Sequence, residues 1–308
     1  MTLRSNMLTT RGRRGATGLL VATAFSWGLG IVLTKVTLEQ LAPLDLLLVE
    51  LGVGTAAVWL ALLARGGPRG LSRWRAFVGL GVLEPGLAFA AGDFGLNLTG
   101  ATDGALLLAS ESLFAITLAW FALGERPGQR AAIAVAVGFA GSILIGIAPS
   151  AAHASVLGDV LVLGGAAVAA IYSVAARSVA GHEDADPLTV TGVQLLAALI
   201  LCIPLTAAAT AGGHSDFGNA DAGHLVAAAA TGLFTSAIPF LLYNAAIRDI
   251  EVTAAALILN LIPVFGVVLS VAVIGEHPGP VQLAGGALVL GAAVAAERVT
   301  RPGSVPVG

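Results

Sequence analysis

Charge is scarce in this chain. Of its 308 residues 11% are Asp, Glu, Lys or Arg, 57% are hydrophobic, and the mean hydropathy is +0.92. Such a balance excludes a soluble domain and leaves an integral membrane protein. Cysteine occurs once, as Cys202 inside an apolar run, so no disulfide can close within the chain and the residue says nothing of its redox compartment. No histidine lies deep in an apolar run, and neither H-E-x-x-H nor a paired nucleophile and base is present, which removes the usual grounds for an intramembrane hydrolase. The "AAGDFG" around Asp93 lacks the flanking glycine and the second aspartate of a glycine-aspartate protease. Phosphate-binding loops are absent too, so ATP is not used within this chain. His153, His214, His224, Asp216 and Asp221 fall between runs without metal-ligand spacing. The sequence calls for no metal, no other cofactor and no nucleic-acid partner.

Long apolar runs are what the chain has instead. Ten of them, each near the roughly 20 residues that cross a hydrocarbon core about 30 Å thick, cover 15–37, 44–64, 76–98, 104–123, 131–149, 157–177, 188–209, 223–246, 253–274 and 280–297. They are rich in Leu, Val, Ala and Gly and lack the dyad alternation of a barrel strand, so helices are expected. The first follows "MTLRSNMLTTRGRRG", which resembles the start of a signal peptide, but the run is too long for one and nine more follow. It reads as an uncleaved first helix behind a cytoplasmic tail, residues 1–14. With that tail inside, every basic residue from Arg4 to Arg301 except Lys35 falls on the inner side, and an even number of spans returns a second tail, 298–308, to the cytoplasm. Trp59, Trp74 and Trp120 fall near the same boundary as an interfacial belt, whereas Trp27 lies within the first run. Abundant Ala and Gly, with arginine almost replacing lysine, point to a bacterial plasma membrane crossed many times.

An internal repeat emerges when "TDGALLLASESLFAITLAWFALGERPG" from Thr102 is laid over "TAAALILNLIPVFGVVLSVAVIGEHPG" from Thr253, at an offset of 151 residues without a gap. Pro43 to Glu50 and Pro187 to Gln194 share a spacing as well. Five helices per half, 15–149 and 157–297, is an odd number, so the two copies are expected in opposite orientations. Two spans ending in "GERPG" and "GEHPG", each followed by a Gly-rich span, resemble the EamA-like family of the drug/metabolite transporter superfamily. The resemblance covers nearly the whole chain. It implies a carrier of small metabolites or drugs, often an exporter, with a central cavity lined mainly by helices 1, 3, 4, 6, 8 and 9. Two departures stand out: Ser112 occupies a place where the family commonly has proline, which the second copy keeps as Pro263, and Glu50 stands where arginine is frequent.

The motif glutamates, Glu125 and Glu276, each precede a proline by two residues and then a helix, so their carboxylates suit free amides at a helix N-terminus. The same residue serves both membrane faces, which favours a turn-stabilising role over a directional one.

Glu50, Glu84 and Glu111 are different because they fall inside spans, where a charge costs several kcal/mol and defaults to a functional reading. At 1.5 Å per residue, Glu84 lies about 12 Å from the inner end of its helix, and Glu111 about 11 Å and Glu50 about 9 Å from their outer ends. That is the layer where secondary transporters hold substrates and ions. The alternative for each is a buried carboxyl satisfied by Ser110, Ser112 or backbone. Their second-half counterparts, and that of Asp93, are Gln194, Thr235, Ile262 and Asn244, so acid is confined to one half. A wall of acids facing neutral polar groups suits a proton or a cationic, amine-bearing substrate. Trp27, Tyr172, Asn244, Asn260 and Pro263 complete the candidates for substrate contact, with plain helix packing as the alternative for the aromatics. Pro85, Pro239 and Pro263 interrupt spans and free carbonyls toward a cavity. Small residues such as Gly138 with Gly141 and Gly285 with Gly286 read as helix packing. The expected partners are a small-molecule substrate, protons and the lipid bilayer. A membrane-embedded enzyme or a non-transporting receptor is the rival reading, and oligomeric state is not legible.

Overall fold

The computed structural model describes residues 2–70, 72–123, 129–147, 155–180, 186–218, 220–247, 255 and 258–299. Every regular element among them is helical. In chain order these are α1 (Thr2–Leu38), α2 (Pro43–Ala64), α3 (Trp74–Gly81), α4 (Ala88–Leu98), α5 (Ala101–Leu108), α6 (Glu111–Leu123), α7 (Gln129–Gly146), α8 (Val156–Ala180), α9 (Pro187–Ala211), α10 (Ala222–Gly232), α11 (Ile238–Ala246), α12 (Leu261–Leu269) and α13 (Pro280–Val299). Seven helical stretches are long and apolar enough to cross a membrane: 15–38, 43–64, 74–98, 101–118, 156–176, 187–211 and 222–246. Three shorter apolar helices, 132–145, 261–274 and 280–295, stand where the fifth, ninth and tenth runs lie. Residues 2–14, expected as a tail, continue α1.

Several spans are interrupted, and the interruptions recur in both halves. A π-helical turn, Val82–Leu87, joins α3 to α4, and another, Leu233–Ala237, joins α10 to α11 at the repeat offset. Pro85 has no N–H to give and pushes the residue before it out of the helical region, so Glu84 is extended at φ −145°, ψ 126°. The fourth run is likewise two helices, α5 and α6, broken at Ala109–Ser110; its counterpart breaks at Asn260, before α12.

Glycines set the crossings between halves. A Cβ at Gly81 would fall on the backbone of Gln194, and one at Gly232 would stand 2.6 Å from the carbonyl of Glu50, so α3 runs against α9 as closely as α10 runs against α2. Gly141 and Gly285 meet in the same way between α7 and α13. Backbone contact through small residues is how apolar helices associate without a hydrophobic driving force between them. Leu47, Leu51, Val58, Leu62, Leu195 and Ala198 fill the α2–α9 seam, and Leu107, Leu113, Ile145, Val289 and Ala293 fill that around α7 and α13.

Candidate functional site

The helices close around a cavity of about 240 Å³. Its wall is built from α1 (Trp27, Gly30, Ile31, Thr34), the α3–α4 break and α4 (Glu84, Phe89, Asp93, Leu96), α5 and α6 (Leu108, Glu111, Ser112, Ile116), α8 (Tyr172, Ser173), the α10–α11 turn (Thr235), α11 (Tyr243) and the segment leading into α12 (Leu259, Asn260, Pro263). Glu50 of α2 also reaches it.

Four carboxyl groups line this one space, and they interact in two couples. Glu84 and Glu111 act electrostatically on one another, as do Glu50 and Asp93. Glu84 reaches the cavity from the extended residue of the α3–α4 break; Glu111 opens α6, where free amides give a positive helix end. Ser173 Oγ donates to Glu111 Oε1 at 2.8 Å. Ser112 Oγ donates to Asn260 Oδ1 at 3.3 Å, which ties α6 to the α12 segment, and the buried Asn260 Nδ2 has no hydrogen-bond partner. Glu84, Glu111, Ser173 and Tyr243 are half-buried. Deeper in, Thr34 Oγ1 donates to Glu50 Oε1 at 3.3 Å, while Glu50 Oε2 and Asp93 Oδ2 are buried without partners.

A polar cluster lies where α1 ends and α5 begins. Lys35 Nζ donates to the carbonyls of Leu96 and Thr99 at 2.8 and 2.6 Å, closing the C-terminus of α4 with a cation. Glu276 Oε1 and Oε2 accept from the amides of Ala101 and Thr102 at 2.8 and 2.7 Å, closing the N-terminus of α5 with an anion. Thr102 Oγ1 meets Ser270 Oγ at 2.8 Å, Thr99 Oγ1 donates to Asp159 Oδ1 at 2.7 Å, and Gln282 Nε2 donates to Asp103 Oδ1 at 2.6 Å.

Of the residues singled out from sequence, Glu50, Glu84, Glu111, Trp27, Tyr172, Asn260 and Pro263 come together at the cavity. Two placements depart from expectation. Glu50 was set on a helix outside the cavity wall, yet the close α2–α10 crossing brings it in. Asn244 was expected at the cavity, but it turns to α9, where Nδ2 donates to Thr191 Oγ1 at 2.9 Å and Gln194 Oε1 at 3.2 Å. Trp27 lines the cavity with its ring while its indole N–H donates to the Thr235 carbonyl at 2.9 Å, one of those freed by the α10–α11 break. Tyr172 is buried against Phe240 and accepts from Gln194 Nε2 at 3.3 Å. Glu276 holds the helix of the other half rather than the one that follows it; Glu125 lies outside the described residues. Ser173 was missed, and Lys35 and Asp93 were noted without being placed among the site residues. Lys35 carried a signal, as the one basic residue on the outer side and the single lysine of the chain.

Comparison with known proteins fits this arrangement. The family model described as EamA-like transporter family matches residues 15–147 and again 156–296. A protein of Streptantibioticus cattleyicolor named "Probable terminal-alkyne amino-acid exporter" is 27% identical over 286 residues, covering 91% of this chain and 93% of that one. An "Uncharacterized transporter YyaM" of Bacillus subtilis is 26% identical over 211 residues, 67% of this chain and 68% of the other. A crystal structure of another protein superposes with a TM-score of 0.62 at 20% identity, over 92% of this chain and 96% of that one, a likeness of fold alone. Matched twice and along nearly its whole length, the chain belongs to the EamA-like transporter family, and it is a multi-pass membrane transporter of a small molecule rather than an enzyme.

Proposed function

We propose that this transporter is a secondary-active exporter of small amine-bearing molecules, amino acids foremost and cationic or amphipathic drugs next, driven by protons. It crosses a bacterial plasma membrane ten times, as inverted repeats 15–149 and 157–297 with both termini cytoplasmic and the tails 1–14 and 298–308 inside. One observation carries the reading: a cavity of about 240 Å³ is lined by Glu84, Glu111 and Asn260, whose buried amide has no hydrogen-bond partner. Ligand pockets start near 300 Å³, so a space this small favours an amino-acid-sized molecule over a bulky drug. An ammonium group satisfies the two carboxylates, and rotation of the Asn260 side chain would offer its orphan donor, unsatisfied at a cost of about 1–3 kcal/mol, to a substrate carboxylate. The amino-acid exporter named above supports the same class. In the proposed topology the face that carries the Lys35 and Glu276 cluster is periplasmic. Glu125 and Glu276 serve the frame and stay outside the substrate path.

Counterflow in proteoliposomes tests this. Vesicles preloaded with each of a panel of amino acids, amines and permanent cations should exchange an amine-bearing solute, and Glu111→Gln should abolish exchange at unchanged protein level. Exchange confined to anions or neutral sugars contradicts the proposal.

A further inference from the structure

We propose that Glu50 and Asp93 form a second cation site, separate from Glu84 and Glu111, that takes one proton shared between the two carboxyl groups. The proposal rests on the transport reading above and assigns the coupling ion a place of its own within the cavity.

Burial and satisfaction carry it first. Glu50 is 0% and Asp93 5% exposed, both line the cavity, and each keeps one carboxyl oxygen, Oε2 and Oδ2, with no hydrogen-bond partner. Two ionised carboxylates in such a place are costly because neither supplies a donor; a protonated carboxyl supplies one. Among the described residues the surroundings give no counter-charge. From α1, Thr34 donates to Glu50 Oε1, and Lys35 is turned away to the carbonyls of Leu96 and Thr99, with Glu276 and Glu39 as its charged neighbours. From α9 comes Cys202, a thiol on which Glu50, Asp93 and Asp45 act; Asp45, on α2, accepts from Ser215 Oγ and the Asp216 amide. From α8, Asp159 is held by Thr99. No cation among these groups reaches the pair.

The second half then shows what is missing. Gln194 stands at the repeat position of Glu50 and Asn244 at that of Asp93, and there Asn244 Nδ2 donates to Gln194 Oε1 at 3.2 Å. At the first-half pair both partners are acceptors, so the equivalent bond needs one proton brought in from water. Among the described residues no group of three or more His, Cys, Asp or Glu side chains is placed to hold a metal ion.

The test is infrared difference spectroscopy of the full chain in liposomes, following the protonated-carboxyl band from mildly acidic to mildly alkaline pH, with choline or Na⁺ as the salt. Wild type and the Glu84→Gln, Glu111→Gln variant should share a band that fades as pH rises. Glu50→Gln and Asp93→Asn should each lose it; where one of these fails to fold, the other gives the answer. A band kept in both variants, a band unchanged across the pH range, or a band displaced by Na⁺ at constant pH overturns the proposal. Transport by the Glu84→Gln, Glu111→Gln variant would sink the substrate reading without touching this one, since the band is read without substrate.

Discussion

Glu50 with Asp93 and Gln194 with Asn244 occupy equivalent places in the two halves, and the protein treats them in opposite ways. The second-half pair is closed: Asn244 bonds to Gln194 and Thr191, and Gln194 goes on to Tyr172, so the amides hold α8, α9 and α11 together. The first-half pair sits on the same kind of crossing, α2 against α10 where the other is α9 against α3, but ends in two buried oxygens without partners. Identical backbone crossings thus leave one half as a frame and make the other the reactive wall. Repetition supplies the scaffold; the difference between copies supplies the chemistry.

Turning the frame into a wall is the harshest way to break that comparison. Gln194→Glu with Asn244→Asp buries two acids side by side and removes the amide donor that now serves Gln194 and Thr191, and should lower stability by about 3 kcal/mol or more at alkaline pH. The reciprocal Glu50→Gln with Asp93→Asn should raise it by about 1 kcal/mol, since it installs the missing amide bond. Thermal unfolding in detergent reads both; equal effects of the two exchanges would mean that the halves are not differentiated as described.

The backbone crossings should be alike where the side chains are not. Gly81→Ala and Gly232→Ala place a methyl on the backbones of Gln194 and Glu50, and each should cost about 1–3 kcal/mol, against little for Gly164→Ala, which meets open space. A large cost at only one of the two crossings would break their equivalence.

Much of this was legible in the sequence. Hydropathy located the runs, and the match of Thr102 onward with Thr253 onward revealed the repeat, because both are properties of residue order. Glu84 and Glu111 were legible as intramembrane acids. What was not legible is rotation about helix axes. Membrane helices are apolar on most sides, so no periodicity told that Glu50 faces the cavity while Asn244 turns to α9. Nor could a turn motif tell that Glu276 would close the N-terminus of α5, more than 170 residues earlier in the chain. The departure of Glu50 from the usual arginine was a visible clue whose partner, Asp93, only packing reveals.

The smallest expected effect lies outside the spans and marks where charge does not matter for transport. Asp186 accepts from Arg65 and from the Thr189 amide at the start of α9, and the Arg65 guanidinium, then the backbone amide, hold its carboxyl below the usual carboxylate range. A depressed carboxyl contributes stability above its unfolded value, near pH 4, and loses it as pH falls further. Because the pair is a quarter exposed, Asp186→Asn should cost no more than about 1 kcal/mol at neutral pH and nothing in strong acid, with transport unchanged. Thermal unfolding across pH checks it; a cost that grows in acid would have the wrong sign.

The central claim, that the acids of the first half carry transport, is tested most directly by uptake in vesicles with an imposed pH gradient, comparing wild type with the Glu84→Gln, Glu111→Gln variant. We predict normal insertion and a loss of gradient-driven flux of an amine-bearing substrate of at least about tenfold, the effect of roughly 1.4 kcal/mol or more of lost binding. Full, gradient-responsive flux through that variant would contradict the claim and leave these carboxyls with a structural role.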